Sequence, residues 1–282
     1  MRVDPIFIDN RGHRTMLKWH RARRKASDPE FTPTRILEAM RLGASVEVDL
    51  VLHAEHGFAI LHDRTLDHGT TGTGLVADTT ADALRQLFLR ANDGTPISDR
   101  VMLLEDLCDL LKANPAHADA LLQLDCKEDG SRLSPAVIES FVVAVSPVAS
   151  SMILSGGDSA AVAALAERTP GLKTGYDPTY PGILDALTSA SDFATFIEAA
   201  LRLAPDATMI YLDHELVLTA DAVGVDLIGA VHSDGRRVDA WTIRSVSPTT
   251  LNHVQRLLDL RVDQITTDDP EGLAAALAGG QG

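Results

Sequence analysis

Residues 45–50 read Ser-Val-Glu-Val-Asp-Leu, so that apolar and acidic side chains alternate. Successive side chains of a β-strand point to opposite faces, which places Glu47 and Asp49 on one face and Val46 and Val48 on the other. On a strand buried on both sides, two close carboxylates are strongly unfavourable unless a cation neutralises them. The segment therefore predicts a buried strand whose acids bind a metal; the alternative is an exposed edge strand with two solvated acids.

Outward from this strand, short apolar runs alternate with segments of helical period, which is typical of a parallel sheet with crossover helices. Strands are predicted near 15–20, 45–51, 58–62, 120–126, 151–155, 207–212, 237–243 and 263–266. Helices are predicted at 33–42, 80–89, 101–113, 133–145, 158–168, 184–203, 248–259 and 270–278. Periodicity alone does not separate a barrel from a doubly wound open sheet.

One region departs from a regular repeat. The range 46–62 contains two strand-like runs separated only by His53–Gly57, a gap too short for a crossover helix. We expect a TIM-type (β/α)8 barrel that is irregular around residues 46–62. The length of 282 residues suits one such barrel, and no linker interrupts the sequence, so residues 1–282 are predicted to form a single domain.

Charge and composition exclude several classes of protein. The formal net charge of −15 opposes binding to nucleic acid and anionic membranes. No apolar run is long enough for a membrane helix, and the N-terminus lacks the core of a signal peptide, so a cytoplasmic protein without membrane insertion is expected. The two cysteines, Cys108 and Cys126, lack zinc spacing and are predicted to be buried thiols.

Basic residues cluster near the N-terminus, against the acidic trend of the chain. A solvated basic face is as good an interpretation of this cluster as a functional one, except for Arg21, which follows a strand-end histidine. The cluster comprises Arg11, Arg14, Lys18, Arg21, Arg23, Arg24 and Lys25.

Titratable residues follow three further predicted strands. His62 and Asp63 end the run 57–61, His20 precedes Arg21, and Asp125 and Lys127 share one face of their strand. Strand ends at a barrel mouth are where catalytic residues lie. Taken singly, each has a structural alternative, such as a hydrogen-bonded histidine or an internal ion pair.

In chain order these residues resemble the glycerophosphodiester phosphodiesterase family. The family pattern runs His-Arg-Gly, Glu-Asn-Thr, Glu-x-Asp, His-Asp with a Thr/Gly-rich turn, Glu-x-Lys, Trp-Thr and Thr-Asp-x-Pro. The corresponding stretches are 20–22 (HRA), 30–32 (EFT), 47–49 (EVD), 62–63 (HD), 70–74 (TTGTG), 125–127 (DCK), 241–242 (WT) and 267–270 (TDDP). The second His-Arg pair, His13-Arg14, is a weaker candidate for the first motif because His13 precedes the strand.

The resemblance implies a site and an activity. One divalent cation, Mg²⁺ or Ca²⁺ because all the ligands are oxygens, would be held by Glu47, Asp49 and Asp125. His20 and His62 would be the acid/base pair, and Arg21 and Lys127 would contact the phosphate. Trp241 would line the pocket against the alcohol part of the substrate; the structural alternative is a tryptophan of the core.

The implied reaction is hydrolysis of small-molecule glycerophosphodiesters to glycerol 3-phosphate and an alcohol. Two alternatives share the barrel: a phospholipase D-like enzyme acting on lysolipids, and a non-catalytic phosphate-binding barrel. Three residues depart from the family pattern: Ala22 replaces glycine, where it would crowd the phosphate or forbid a positive φ; Phe31 replaces asparagine; and Asp125 replaces glutamate. The oligomeric state is not predicted.

Overall fold

Eight parallel strands pair side by side and close into a ring in the computed structural model, which describes residues 5–279. Neighbours around the ring follow the order β2, β3, β7, β8, β9, β10, β11 and β12, and β12 pairs again with β2. Their bounds are β2 His13–Trp19, β3 Ser45–Leu52, β7 Leu121–Cys126, β8 Met152–Gly156, β9 Lys173–Tyr176, β10 Met209–Asp213, β11 Arg237–Ile243 and β12 Gln264–Thr267. The predicted TIM-type barrel is confirmed.

Helices surround the ring, and most follow a strand of it. Their bounds are α1 Pro33–Leu42, α2 Ala81–Gln86, α3 Leu104–Ala113, α4 Pro135–Val145, α5 Ser159–Ala166, α6 Ile183–Ala186, α7 Ala190–Leu203, α8 His214–Ala222, α9 Leu227–Ser233, α10 Pro248–Asp259 and α11 Pro270–Gly279. Two begin with a serine cap and a first-turn proline: the hydroxyls of Ser134 and Ser247 accept hydrogen bonds from the main-chain N–H of Val137 and Thr250.

The irregularity predicted around 46–62 is present. β4 (Phe58–Ile60) runs antiparallel to the end of β3, with Leu50 opposite Ile60, and lies outside the ring. This strand belongs to residues 53–103, a segment that we call the insertion arm. The arm also contains α2 and the antiparallel pair β5 (Phe88–Arg90) and β6 (Pro96–Arg100). Another short strand, β1 (Phe7–Asn10), pairs antiparallel with β2.

Several predicted elements were wrong. The eighth barrel strand is β9, which was not predicted because Lys-Thr-Gly-Tyr is short and partly polar; the run 58–62 was counted in its place. The predicted helix 80–89 ends at Gln86, and Phe88 begins β5. Helices α8 and α9 were missed, since the helical period is interrupted at the turn between them.

The inside of the ring is unusually polar. The valines of β3 pack outward in the main apolar core, whereas Lys18 and Asp239 lie inside the ring, 1% and 0% exposed, and form an ion pair at 3.0 Å. Gln123 and Thr266 also line the interior. The main apolar layers therefore lie between strands and helices, and the barrel interior combines these polar contacts with a small apolar cluster of Ile153, Met209 and Tyr211.

The basic N-terminal cluster is only partly a solvated face, since Arg11, Arg14 and Lys25 have at least half of their side chains exposed. Lys18 is buried, and Arg24 is 7% exposed and ion-paired with Glu38 and Glu271.

Both cysteines are buried, and burial raises the pKa of each thiol to about 12. Between residues 5 and 279 no single helix is long and apolar enough to cross a membrane; α8 and α9, bent by 102°, reach that length and composition only when taken together.

Candidate active site

A cavity of about 230 Å³ opens at the carboxyl ends of the barrel strands, where the loops of such barrels carry catalytic residues. All but one of the predicted site residues line it: the exception, Asp49, lies fully buried beneath its wall. The lining comprises Lys18, His20, Arg21, Glu47, His62, Gln123, Asp125, Lys127, Asp177, Tyr211, Trp241, Thr242, Arg244 and Thr266.

Three carboxylates converge at one side of this cavity. Strand register produces the arrangement, because β3 and β7 are parallel neighbours that place Asp49 beside Asp125, and Glu47 lies two residues earlier on the same face. One oxygen of each carboxylate lies within 4.8 Å of the others. Both oxygens of Asp49 are buried; neither has a hydrogen-bond partner of suitable geometry among the described residues, and Oδ1 has an ion-pair contact with the Lys127 ammonium at 2.7 Å. Three clustered carboxylates with one ammonium between them fit a hard divalent cation.

The acids differ in their electrostatic environment. Burial, reinforced by the neighbouring Glu47, raises the pKa of Asp49 to about 7, and burial also raises the pKa of Glu47. Burial acts on Asp125 in the same direction, but the Lys127 ammonium outweighs it and lowers the pKa of that carboxyl. The protein has thus gathered negative charge where water cannot solvate it, which a bound cation would offset.

Lys127 follows β7 and contacts two of the acids. Its ammonium lies 2.7 Å from Oδ1 of Asp49 and donates a hydrogen bond to Oδ2 of Asp125. Burial would lower the pKa of Lys127, but the surrounding carboxylates raise it. The lysine is therefore a permanent cation at the edge of the triad, able to contact a phosphate oxygen.

His20 lies in the turn that ends β2, beside the strand end of β12. Its Nδ1 is 2.5 Å from Oδ1 of Asp268, which also accepts a hydrogen bond from Arg23 at 2.9 Å. Burial lowers the pKa of His20, while Asp268 acts in the opposite direction. Because an ionised Asp268 only accepts, Nδ1 carries hydrogen and Nε2 is left with a free lone pair.

The turn at residues 20–22 brings Arg21 to the triad. Its main-chain N–H donates to Oε2 of Glu47 at 2.7 Å, and its guanidinium donates to Glu30 at 2.9 Å. Arg21 and Ala22 have φ of 51° and 59°, and Phe31 has 57°. The replacements of glycine and asparagine therefore do not abolish the left-handed backbone; Ala22 adopts it at a cost of about 1 to 2 kcal/mol.

His62 reaches the same cavity from the insertion arm, two residues after β4. Its Nδ1 is 2.7 Å from Oδ1 of Asp63, and this hydrogen bond lowers the pKa of the aspartate. The ring is more exposed than that of His20, with 37% of the side chain accessible. Two carboxylate-oriented imidazoles thus face one cavity, one from the ring and one from the arm.

The opposite side of the cavity comes from β9 to β11. Trp241 lines it, half-buried, and its indole Nε1 has no hydrogen-bond partner within residues 5–279. Asp177 follows β9, and burial, with a contribution from Asp125, raises its pKa to about 7. Arg244 completes this side from the rim.

Sequence reasoning missed three of these groups. Asp268 was quoted within a motif but given no role, although its place after a strand is the signal that marks the other acids. Asp177 follows a strand that was not recognised, so no signal was visible. Ser155, which donates a hydrogen bond to Oδ1 of Asp125 at 2.9 Å, carries no distinctive pattern.

The competing histidine lies away from the site. His13 begins β2, and its Nε2 is 3.0 Å from the carbonyl oxygen of Val262, at the other end of the barrel from His20. Of the two His-Arg pairs in the sequence, only His20-Arg21 lines the cavity.

Comparison with known proteins supports one family. The chain is 24% identical over 264 residues to a glycerophosphodiester phosphodiesterase of Caldanaerobacter subterraneus subsp. tengcongensis, covering 92% of this chain and 96% of that protein. A phosphodiesterase of Oleispira antarctica solved with the product sn-glycerol-3-phosphate shares the fold, with a TM-score of 0.66, 18% identity and coverage of 93% and 96%. A glycerophosphodiester phosphodiesterase of Thermotoga maritima gives a TM-score of 0.63, 19% identity and coverage of 94% and 99%.

The sequence model of the Glycerophosphoryl diester phosphodiesterase family matches residues 20–272, which include every predicted site residue. The chain therefore belongs to the glycerophosphoryl diester phosphodiesterase family.

Proposed function

We propose that this protein hydrolyses glycerophosphodiesters to glycerol 3-phosphate and an alcohol, with one divalent cation, Mg²⁺ or Ca²⁺, held by Glu47, Asp49 and Asp125. The observation that carries the proposal is the convergence of these three carboxylates within 4.8 Å in a wall of the cavity that two carboxylate-bonded imidazoles also line. When bound, the cation would polarise a non-bridging phosphate oxygen as a Lewis acid.

The basic side chains would bind the phosphate. Arg21 lies beside the triad, with Nε 3.7 Å from Oδ2 of Asp49, and Lys127 borders the triad from β7. A guanidinium offers paired N–H donors and an ammonium a compact charge, so together they would hold the diester in one orientation. Such positioning brings the phosphorus within reach of both histidines.

The two imidazoles would move protons in opposite directions. His20 has a lowered pKa and a free Nε2 lone pair, which suits a base that takes a proton from water as its oxygen bonds to phosphorus. His62 is more exposed and would donate a proton to the alcohol oxygen as the phosphorus–oxygen bond breaks. A vicinal substrate hydroxyl in place of water as the first nucleophile would give a cyclic phosphate, which phosphorus NMR of early time points would detect.

The test is hydrolysis of glycerophosphocholine, glycerophosphoethanolamine and lysophosphatidylcholine by metal-stripped protein, with and without added Mg²⁺ or Ca²⁺. We expect metal-dependent release of glycerol 3-phosphate from the two glycerophosphodiesters. Release of choline from the lysolipid alone would favour the lipid phosphodiesterase, and phosphate binding without turnover would favour a non-catalytic barrel.

Histidine variants test the acid/base assignment. His20→Ala and His62→Ala should each lower kcat by about 10²-fold to 10⁴-fold. His13→Ala is the matched control, because it removes the other strand-bordering histidine far from the cavity and should leave kcat unchanged. Wild-type activity in the His20→Ala, His62→Ala double variant would refute the assignment.

A further inference from the structure

A chain of three hydrogen bonds connects a buried lysine to the carboxylate of Asp125. The Lys18 ammonium donates to Oε1 of Gln123, and Nε2 of Gln123 donates to Oγ of Ser155 at 2.8 Å. Oγ of Ser155 then donates to Oδ1 of Asp125 at 2.9 Å. The chain crosses the inside of the ring from β2 through β7 to β8 and returns to β7 at the acid triad.

The chemistry of the groups fixes the direction of every hydrogen bond. An ammonium only donates, so the side-chain oxygen of Gln123 must face Lys18 and its NH₂ must face Ser155. The Ser155 oxygen accepts from that NH₂, and its single hydrogen is therefore free for Asp125. Asp125 receives this hydrogen on Oδ1 and the Lys127 ammonium on Oδ2, so both of its oxygens act as acceptors.

Lys18 itself is held firmly. Its ammonium lies 3.0 Å from Oδ2 of Asp239 and 4.5 Å from the centre of the Tyr211 ring. Asp239 in turn accepts hydrogen bonds from Gln264 and from Thr266, the latter at 2.7 Å. Because both members of this buried ion pair are hydrogen-bonded, the Lys18 ammonium is held in a fixed position from which it orients Gln123.

We propose that Ser155 is a positioning residue for the cation site, oriented by Gln123 and Lys18, and that it fixes the carboxylate plane of Asp125. The inference rests on the proposed metal-dependent function and deepens it. Lys127 contacts Oδ2 of Asp125 on the other side. With Ser155 absent, this ammonium alone would orient the carboxylate, which would be free to rotate about that single contact and lose the orientation that it has beside Glu47 and Asp49.

The experiment is calorimetric titration of metal-stripped protein with Mg²⁺ and, separately, with Ca²⁺. Ser155→Ala should weaken cation binding about 10-fold, the lower end of the effect of losing a partner behind a metal ligand. Ser155→Cys keeps a weaker donor and should lie between Ser155→Ala and wild type. Gln123→Met removes the group that orients Ser155 and should weaken binding in the same direction.

Thr15→Val is the matched control. Thr15 is as buried as Ser155 and donates to the carbonyl of Val262 at 2.7 Å, but lies at the other end of the barrel. Its cation affinity should equal that of wild type, even if thermal unfolding of the metal-free variant shows a loss of stability similar to that of Ser155→Ala.

The outcomes separate the two proposals. Wild-type protein that binds neither cation would overturn the proposed function and this inference together. If the wild-type protein binds a cation, and Ser155→Ala and Gln123→Met bind it with the same affinity as wild type, the inference alone is overturned. If Ser155→Ala does not fold, the affinities of Ser155→Cys and Gln123→Met decide.

Discussion

Nζ of Lys127 lies 2.7 Å from Oδ1 of Asp49, so a lysine ammonium neutralises part of the triad from within the chain. The ammonium offsets only part of the cost of burial, because the pKa of Asp49 is still raised to about 7. The metal-free protein thus folds with carboxylates that are incompletely neutralised, and a bound cation would stabilise them further.

Asp49→Asn should remove cation binding while leaving the metal-free fold at least as stable. The amide is neutral and similar in shape, and the raised pKa of Asp49 means that burial costs the carboxylate more than its contact with Lys127 returns. In wild type, saturating Mg²⁺ or Ca²⁺ should raise Tm, at about 2 to 4 °C per kcal/mol of binding free energy. Thermal unfolding with and without cation measures both quantities, and a cation-dependent rise in the variant equal to that of wild type would contradict the assignment of Asp49 as a ligand.

Asp268→Asn should lower kcat about 10-fold to 100-fold with little change in KM, because His20 loses the charge that fixes its tautomer. Asp268 raises the pKa of His20 against the effect of burial. Its loss should therefore lower that pKa further and move the acidic limb of the kcat/KM profile to lower pH. Asp63→Asn makes the same substitution beside His62 and should also lower kcat, because that imidazole loses the carboxylate that orients it. An unshifted acidic limb in Asp268→Asn would exclude His20 as the base.

Asp177→Asn should make the metal-free protein more stable at pH 8 than wild type. Burial raises the pKa of Asp177 to about 7, so its folded form binds a proton more tightly than its unfolded form. The free energy of unfolding therefore decreases as pH rises from about 4 to about 7. Because the carboxyl lines the open cavity, we expect a gain of about 1 to 3 kcal/mol at pH 8 and almost none at pH 4.

Urea unfolding in chelator at both pH values would measure this difference. Asn keeps the oxygen that accepts the N–H of Thr179 at 2.8 Å, so the loop contact is preserved. A stability difference that did not change with pH would show that Asp177 ionises normally.

Trp241→Ala should raise KM about 10-fold for glycerophosphodiesters, with kcat changed less, because the indole lines the cavity and, under the proposed function, would pack against the alcohol part of the substrate. Trp241→Phe separates two effects, since it keeps an aromatic ring and removes only the unpartnered Nε1–H. Equal KM in wild type and Trp241→Ala would place the alcohol elsewhere in the cavity.

Much of the site was visible in the sequence because parallel strands align their carboxyl ends. Residues at such ends, including Asp125, Lys127 and His20, meet in space however far apart they lie in the chain. The alternation in β3 also predicted that Glu47 and Asp49 share a face, since successive side chains of a strand alternate between its two faces. The barrel followed from the same pattern together with the family resemblance.

What could not be predicted depends on contacts between strands. No local feature shows that Ser155 faces Asp125, because the pair is set by the register of β7 and β8. Strand β9 was missed since Gly175 interrupts its apolar pattern, and with it Asp177. The burial of Lys18 was equally hidden, because its partner Asp239 is 221 residues away in the sequence.

The two imidazoles of the cavity come from different parts of the fold. His20 belongs to the ring, where any shift would disturb strand pairing, whereas His62 is delivered by residues 53–103, whose loops tolerate insertion and exchange. Under the proposed function, changes in the arm would alter how the leaving alcohol is protonated and which alcohol fits, while Glu47, Asp49 and Asp125 keep their places on the ring. Grafting arms between relatives of this protein is the corresponding route for changing its selectivity in the laboratory.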